Sequence, residues 1–175
     1  MNKSAVSLGA LLRSDDDPID APQARRAAKN AILAFFKAVA TKDTAALASS
    51  ITEDAVYEFP FSESGSTEPA QCRRYVGAAE VIAFWTATSA DGPKSLGPED
   101  VELSITADGS RVFIEQRGNM VLPDGRSYRN RYVFRFSIRD GRVSHVREYF
   151  NPVTAAYAFR RKIANSFVVE TLEPT

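Results

Sequence analysis

Residues 128–152 read YRNRYVFRFSIRDGRVSHVREYFNP. Tyr128, Asn130, Tyr132, Phe134, Phe136 and Ile138 alternate with Arg129, Arg131, Arg135 and Arg139, a period of two that belongs to a strand with one covered face. Asp140-Gly141 follows, and an Asp-Gly between alternating runs is a strong hairpin signal. Arg142 to Phe150 then alternates again, so the stretch predicts two antiparallel strands. Upstream, Asp108-Gly109 and Asp124-Gly125 separate runs of the same kind, Val101-Leu103-Ile105, Arg111 to Leu122 and Ser127 to Arg139. The second half of the chain therefore predicts four consecutive antiparallel strands.

The first half has a different period. From Pro22, residues Ala28, Ile32, Phe35, Phe36 and Val39 recur at three- and four-residue steps, which predicts a helix ending near Thr41-Lys42. Asp43 caps a second, short helix over Thr44 to Ser50. Ala55 to Phe59 reads as a strand closed by Pro60, Ser62 to Gln71 as a long loop, and Ala78 to Thr88 as a third helix. Residues 1–21, with Ser14-Asp15-Asp16-Asp17-Pro18, read as a flexible leader; 22–163 is expected to be one domain and 164–175 a tail.

The 175 residues carry 22 Lys+Arg and 22 Asp+Glu, and this zero balance argues against a nucleic-acid partner. At 44% apolar and 25% charged residues the composition is that of a folded domain. With one cysteine, Cys72, and one histidine, His145, neither an intrachain disulfide nor a Cys/His zinc site assembles. There is no phosphate-cradling glycine loop and no apolar run of membrane-spanning length. The reading is of an intracellular, cytoplasmic protein with no metal, no cofactor and no membrane attachment.

The helix-then-sheet order, together with Glu58-Phe59-Pro60-Phe61, Arg74 to Ile82 and Asp140-Gly141-Arg142-Val143 leading to Arg147-Glu148-Tyr149-Phe150-Asn151-Pro152, resembles the SnoaL-like branch of the nuclear transport factor 2 superfamily. That branch holds polyketide cyclases and phenazine-biosynthesis A/B proteins, with limonene epoxide hydrolases as relatives. The resemblance implies a cone-shaped α+β barrel: a curved antiparallel or mixed sheet around three N-terminal helices, a pocket between helices and concave sheet face, and frequent homodimers. It also marks departures. Where ketosteroid isomerases carry an Asp base and a helical Tyr, this chain has Phe59 and Phe35. Where the epoxide hydrolases carry Arg-x-Asp, it has Arg117-Gly118-Asn119, and an amide is no proton donor in the required range. Epoxide opening is accordingly the less favoured reading.

The phenazine-type pattern implies one buried acid in the closing segment, and strand geometry leads to the same residue. Val146, Glu148 and Phe150 share a face, so Glu148 stands between two large apolar side chains, where burial favours the protonated acid a general acid requires. The alternative phase turns Val143, His145, Arg147 and Tyr149 inward. Arg117 is a candidate to bind a substrate carboxylate or to pair with Glu148, and Asn119 completes the catalytic set. Tyr57, Phe59, Trp85, Tyr132 and Phe134 are candidates to line a pocket for a planar ligand, with Glu58 a second carboxylate if it faces in and His145 a further polar candidate. The expected function is cofactor-independent acid/base chemistry, of isomerase, cyclase or condensation type, on a small hydrophobic metabolite. The alternative is a non-catalytic binding or dimerisation module. A homodimer is expected to pair through the outer sheet face, with Arg129, Arg131, Val133 and Arg135 joined by Gln116, Met120, His145 and Tyr149.

Overall fold

The computed structural model describes residues 7–14, 17–62, 66, 68–87 and 92–162. Its helices are α1 (Leu8–Leu12), α2 (Pro22–Thr41), α3 (Thr44–Ser50), α4 (Ala78–Thr86) and α5 (Pro152–Ala158). Its strands are β1 (Ile51–Glu58), β2 (Arg74–Val76), β3 (Lys94–Ser95), β4 (Glu99–Ile105), β5 (Arg111–Arg117), β6 (Met120–Val121), β7 (Ser127–Tyr128), β8 (Arg131–Arg139) and β9 (Arg142–Phe150). Pro22 opens α2 and Lys42, at φ 52°, closes it; Asp43 caps α3 by accepting from the Ala46 N–H at 2.9 Å. The leader contains the helical turn α1, and the proposed tail lies outside the described residues.

Six strands form one curved sheet in the order β2-β1-β9-β8-β5-β4. All neighbours are antiparallel except β1 and β9, which run parallel. The four-strand run foreseen from the Asp-Gly turns is the β4-β5-β8-β9 half. The expected barrel is corrected: β2 and β4 are the two edges and the sheet does not close. Its concave face packs on α2 and α4, with Phe35 against Phe136, Phe36 against Phe134 and Trp85 against Tyr57 at ring separations of 5.9, 6.1 and 5.3 Å.

Two expected strands break where the sequence ran on. The run Arg111 to Leu122 stops at Gly118, and Ser127 to Arg139 is interrupted at Arg129-Asn130. The hairpin between them pairs instead with β3 in a small sheet ordered β3-β6-β7. Gly118 is where the chain leaves: a Cβ there would come within 2.8 Å of the Tyr132 ring. Asn130 is the other corner, buried and bonded on both sides of its amide to the start of β8 and to Asn151. Helix α5 was also not foreseen, although Asn151 followed by Pro152 is a capping signal.

Candidate functional site

Strand β9 settles the phase of the closing segment, with a complication that alternation alone does not reveal. Opposite β8, Phe134 pairs with Glu148, Phe136 with Val146 and Tyr132 with Phe150, so Val146, Glu148 and Phe150 face inward with the aromatic ladder of β8. The register then slips between Ser137 and Ile138, where Ser144 is the extra residue of a bulge. The bulge returns Val143 to the core, only 1% exposed, so one residue of the alternative phase is also inside.

Glu148 has a partner supplied from the first strand. The Tyr57 hydroxyl donates a short hydrogen bond to Glu148 Oε2. Tyr57 is fully buried, and burial first, then the charge and hydrogen bond of Glu148, push its hydroxyl well above the ordinary tyrosine range. It therefore keeps its proton and acts as a fixed donor behind the carboxylate. In front of Glu148 lies a cleft of about 200 Å³ between the helices and the concave sheet face.

Of the expected lining residues, Phe59, Trp85 and Tyr132 form walls of this cleft. Tyr57 stands behind Glu148, and Phe134 stacks against Tyr132 at 5.8 Å in the core beneath. The sequence reading missed Arg73, Phe84, Met120, Tyr128, Phe150 and Phe159. Arg73 lays its guanidinium 4.2 Å over the Phe59 ring, placing a cation in the same cleft as Glu148. Met120 and Tyr128 arrive on the out-turned hairpin, and Phe159 follows α5; none of these positions follows from simple alternation.

The structure separates the remaining candidates from Glu148. Arg117 pairs across β5 and β8 with Arg131 and so lies on the convex face, whereas Glu148 is on the concave one. Its guanidinium binds Glu99 at 2.9 Å and Asp100 at 3.2 Å. Asn119 donates its amide to the other oxygen of Glu99 at 2.8 Å, and Arg129 adds a contact at 2.9 Å. These bonds, from Arg129 first and Arg117 next, hold the Glu99 carboxyl below its usual range. Together they staple the out-turned hairpin to edge strand β4.

Glu58 and His145 also face outward, beside Arg147. Glu58 Oε1 lies 2.5 Å from Arg147 Nε and 3.0 Å from His145 Nε2, and Glu58 Oε2 lies 3.3 Å from Arg74 Nε. Of the residues expected on a pairing surface, Gln116 instead pairs with Tyr132 and faces the concave side, and Met120 is in the cleft.

This convex cluster predicts a pH dependence of stability. Burial pulls the His145 imidazole below its ordinary 6.5, with Glu58 offsetting part of the shift. Burial works to raise the Glu58 carboxyl, but the Arg147 and His145 contacts outweigh it and hold it below 4.5. Both groups bind protons more readily in the unfolded chain, so their stabilisation is complete above the unfolded values and is lost as pH falls through the folded ones. The urea midpoint, followed by tryptophan fluorescence, should fall between about pH 7 and 5. His145→Gln should flatten that part of the profile; an unchanged slope in this variant would assign the dependence to other groups.

Among the described residues, no three His, Cys, Asp or Glu side chains gather as metal ligands, and no helix is long and apolar enough to cross a membrane. The arrangement amounts to one carboxylate held by a buried tyrosine, one arginine and a set of aromatic walls around a small cleft.

Comparison with known proteins bears on the family and the fold. The SnoaL-like domain profile matches residues 32–146. The chain is 31% identical over 111 residues to the uncharacterised protein YesE of Bacillus subtilis (strain 168), a match covering 61% of this chain and 69% of YesE. Its fold superposes with a TM-score of 0.64 on a Bacillus subtilis protein provisionally assigned as an isomerase, at 23% identity and covering 80% of this chain and 97% of the other. A phenazine biosynthesis-related protein of Pseudomonas aeruginosa gives 0.59 at 15% identity, covering 87% and 96%. These two likenesses establish the cone-shaped α+β fold of nuclear transport factor 2-like proteins. With a profile match that spans most of the helices and the large sheet, the chain belongs to the SnoaL-like domain family.

Proposed function

We propose that the protein is a cofactor-independent acid/base enzyme that moves a proton on a small, planar, largely hydrophobic metabolite, with Glu148 as the group that takes and returns it. The observation that carries this reading is the double placement of Glu148, which forms a wall of the cleft while Tyr57 fixes one of its oxygens from behind. A carboxylate so held has one orientation, which is what general acid/base catalysis needs of its proton carrier. Isomerisation, cyclisation and condensation share this proton transfer, and relatives of the same fold are associated with isomerase and phenazine-biosynthesis roles. Phe59, Phe84, Trp85, Tyr132 and Phe150 surround the ligand with ring faces and edges.

The cleft is small for an enzyme site, where about 300 Å³ is a common lower bound, and that favours the second reading, a module that only binds. An enclosed cavity of about 150 Å³ nevertheless holds benzene, so about 200 Å³ accommodates one substituted six-membered ring. The test is exchange of acidic C–H hydrogens for deuterium in a panel of single-ring ketones and enols, followed by NMR in D2O. Exchange above buffer background is expected for at least one compound of the panel; background rates throughout would leave the binding module as the better reading.

A further inference from the structure

A groove of about 350 Å³ runs between the first two turns of α2 and the edge strand β4, lined by Pro22, Arg25, Arg26, Lys29, Leu103 and Ile105. On the strand side its backbone is open. The Thr106 N–H donates to the Arg111 carbonyl at 3.1 Å, which makes residues 106 and 111 a hydrogen-bonded pair and, by alternation, 104 and 113 the next. Leu103 and Ile105 therefore direct their N–H and C=O groups to the free edge, where no strand pairs among the described residues. Their side chains share a face with Val112 and Ile114 and floor the groove. A bulge between Glu99 and Glu102 disrupts the first half of β4, so the open half is 103–105. The helix side is cationic against its own stability. Arg25 and Lys29 are four residues apart, Arg26 and Lys29 three, close to the positive end of a helix with no acid in its first turn. Asp20 pairs with Arg25 at 3.1 Å, but Arg26 and Lys29 are exposed and have no ion pair or side-chain hydrogen bond among the described residues.

We propose that this groove binds an acidic, extended peptide segment of a partner protein, which adds a strand to β4. The free edge presents backbone donors and acceptors in alternation, a pattern that a second peptide backbone matches and a small anion does not. Residues of the added strand that bond to Leu103 and Ile105 lie directly opposite them and point into the groove, toward Arg25, Arg26 and Lys29. These two positions are the acidic ones. The residue between them falls on the convex face beside Ser104, near Glu102, which already stands opposite Glu115, so it is uncharged. The recognised chemistry is thus acid-x-acid in an extended chain, with x uncharged and β-branched. Glu148 and the other cleft walls take no part, because groove and cleft have no lining residue in common.

The probe is the peptide Ac-Thr-Glu-Thr-Glu-Thr-NH2, titrated into the ¹⁵N-labelled full chain and followed by NMR. Saturable binding is expected, with downfield shifts of the Leu103 and Ile105 amide protons, the mark of new backbone hydrogen bonds. The isomer Ac-Thr-Thr-Glu-Glu-Thr-NH2 carries the same charge without the alternation and should bind about threefold more weakly or worse. N-methylation of both Glu residues of the probe keeps its charge, removes the backbone donors that face β4, and should abolish the downfield shifts. Arg26→Gln combined with Lys29→Gln should weaken the probe about threefold to tenfold, the worth of two exposed ion pairs. No shift at Leu103 and Ile105 in the wild type overturns the assignment. So do equal affinity for the isomer, downfield shifts with the N-methylated peptide, and unchanged affinity in the double variant. Glutarate, a dicarboxylate without a peptide backbone, is the remaining arm: the same amide shifts at equal concentration would make the groove a site for small anions and overturn strand addition. The two substitutions lie at exposed helix positions and the peptide controls leave the protein unaltered, so every arm is read on folded protein.

Discussion

Glu148→Gln is expected to slow C–H exchange by roughly 10²- to 10⁴-fold, the range over which removing a positioned acid/base group acts, with affinity for the exchanging compound changing by less than about threefold. The split between rate and binding follows from the shape of the two side chains. Gln keeps an oxygen able to accept from Tyr57, so the bond behind the cleft and the ring contacts of Phe150 and Tyr132 persist. What disappears is the capacity to take a proton and give it back. Steady-state exchange rates and titration with the exchanging compound on the same preparations check this. A variant exchanging at the wild-type rate removes Glu148 from the chemistry, and equal losses of rate and affinity would make it a binding group instead.

That result would bear on how Tyr57 is used. A phenol buried without an acceptor is costly, and Glu148 supplies the acceptor. A carboxylate between Val146 and Phe150 needs a donor in turn, and Tyr57 supplies it. The pairing satisfies two polar groups inside an aromatic core and fixes the carboxylate in the same step. Sequence separation hides it: the partners are 91 residues apart, joined only because β1 runs parallel beside β9.

What the sequence made legible was local. Asp140 and Gly141 adopt φ values of 52° and 68°, the left-handed pair that a two-residue hairpin demands, and the dipeptide announces it. The inward phase of Glu148 was legible because its neighbours two positions away are Val146 and Phe150. The positions of Arg117 and Asn119 were not, because a motif gives spacing along a strand but not the face of the sheet. Arg117 alternates onto the convex side and meets Glu99, whose place depends on a bulge between Glu99 and Glu102. Tyr128 looked like one more member of the β8 alternation; it becomes a cleft residue because the chain leaves the large sheet at Gly118 and returns at Asn130.

Asn130→Ala is expected to destabilise the protein by about 3 kcal/mol and to lower the melting temperature by roughly 6–12 °C for a chain of this size. The side chain is 2% exposed and uses its full hydrogen-bonding capacity, two donors and an oxygen that accepts twice. Alanine leaves the N–H of Arg131 and both backbone groups of Asn151 without those partners. Each such orphan costs about 1–3 kcal/mol where water is excluded and less where water reaches it, which sets the estimate at the lower end of the sum. Asn130→Asp separates the two halves of the amide: its carboxylate still accepts from Arg131 and Asn151 but cannot donate to Tyr128 or to the Asn151 carbonyl. It should therefore be destabilised as well. Thermal unfolding of the two variants checks this; a loss below about 1 kcal/mol in Asn130→Ala would mean that water replaces the amide at this corner. The Asn151 bonds matter beyond their number. Asn151 caps α5 through Val153 and Thr154, so the residue that turns the chain out of the sheet at β8 also fixes where β9 ends and α5 begins. Loosening Asn130 thereby releases two cleft walls together, Tyr128 before it and Phe159 after α5.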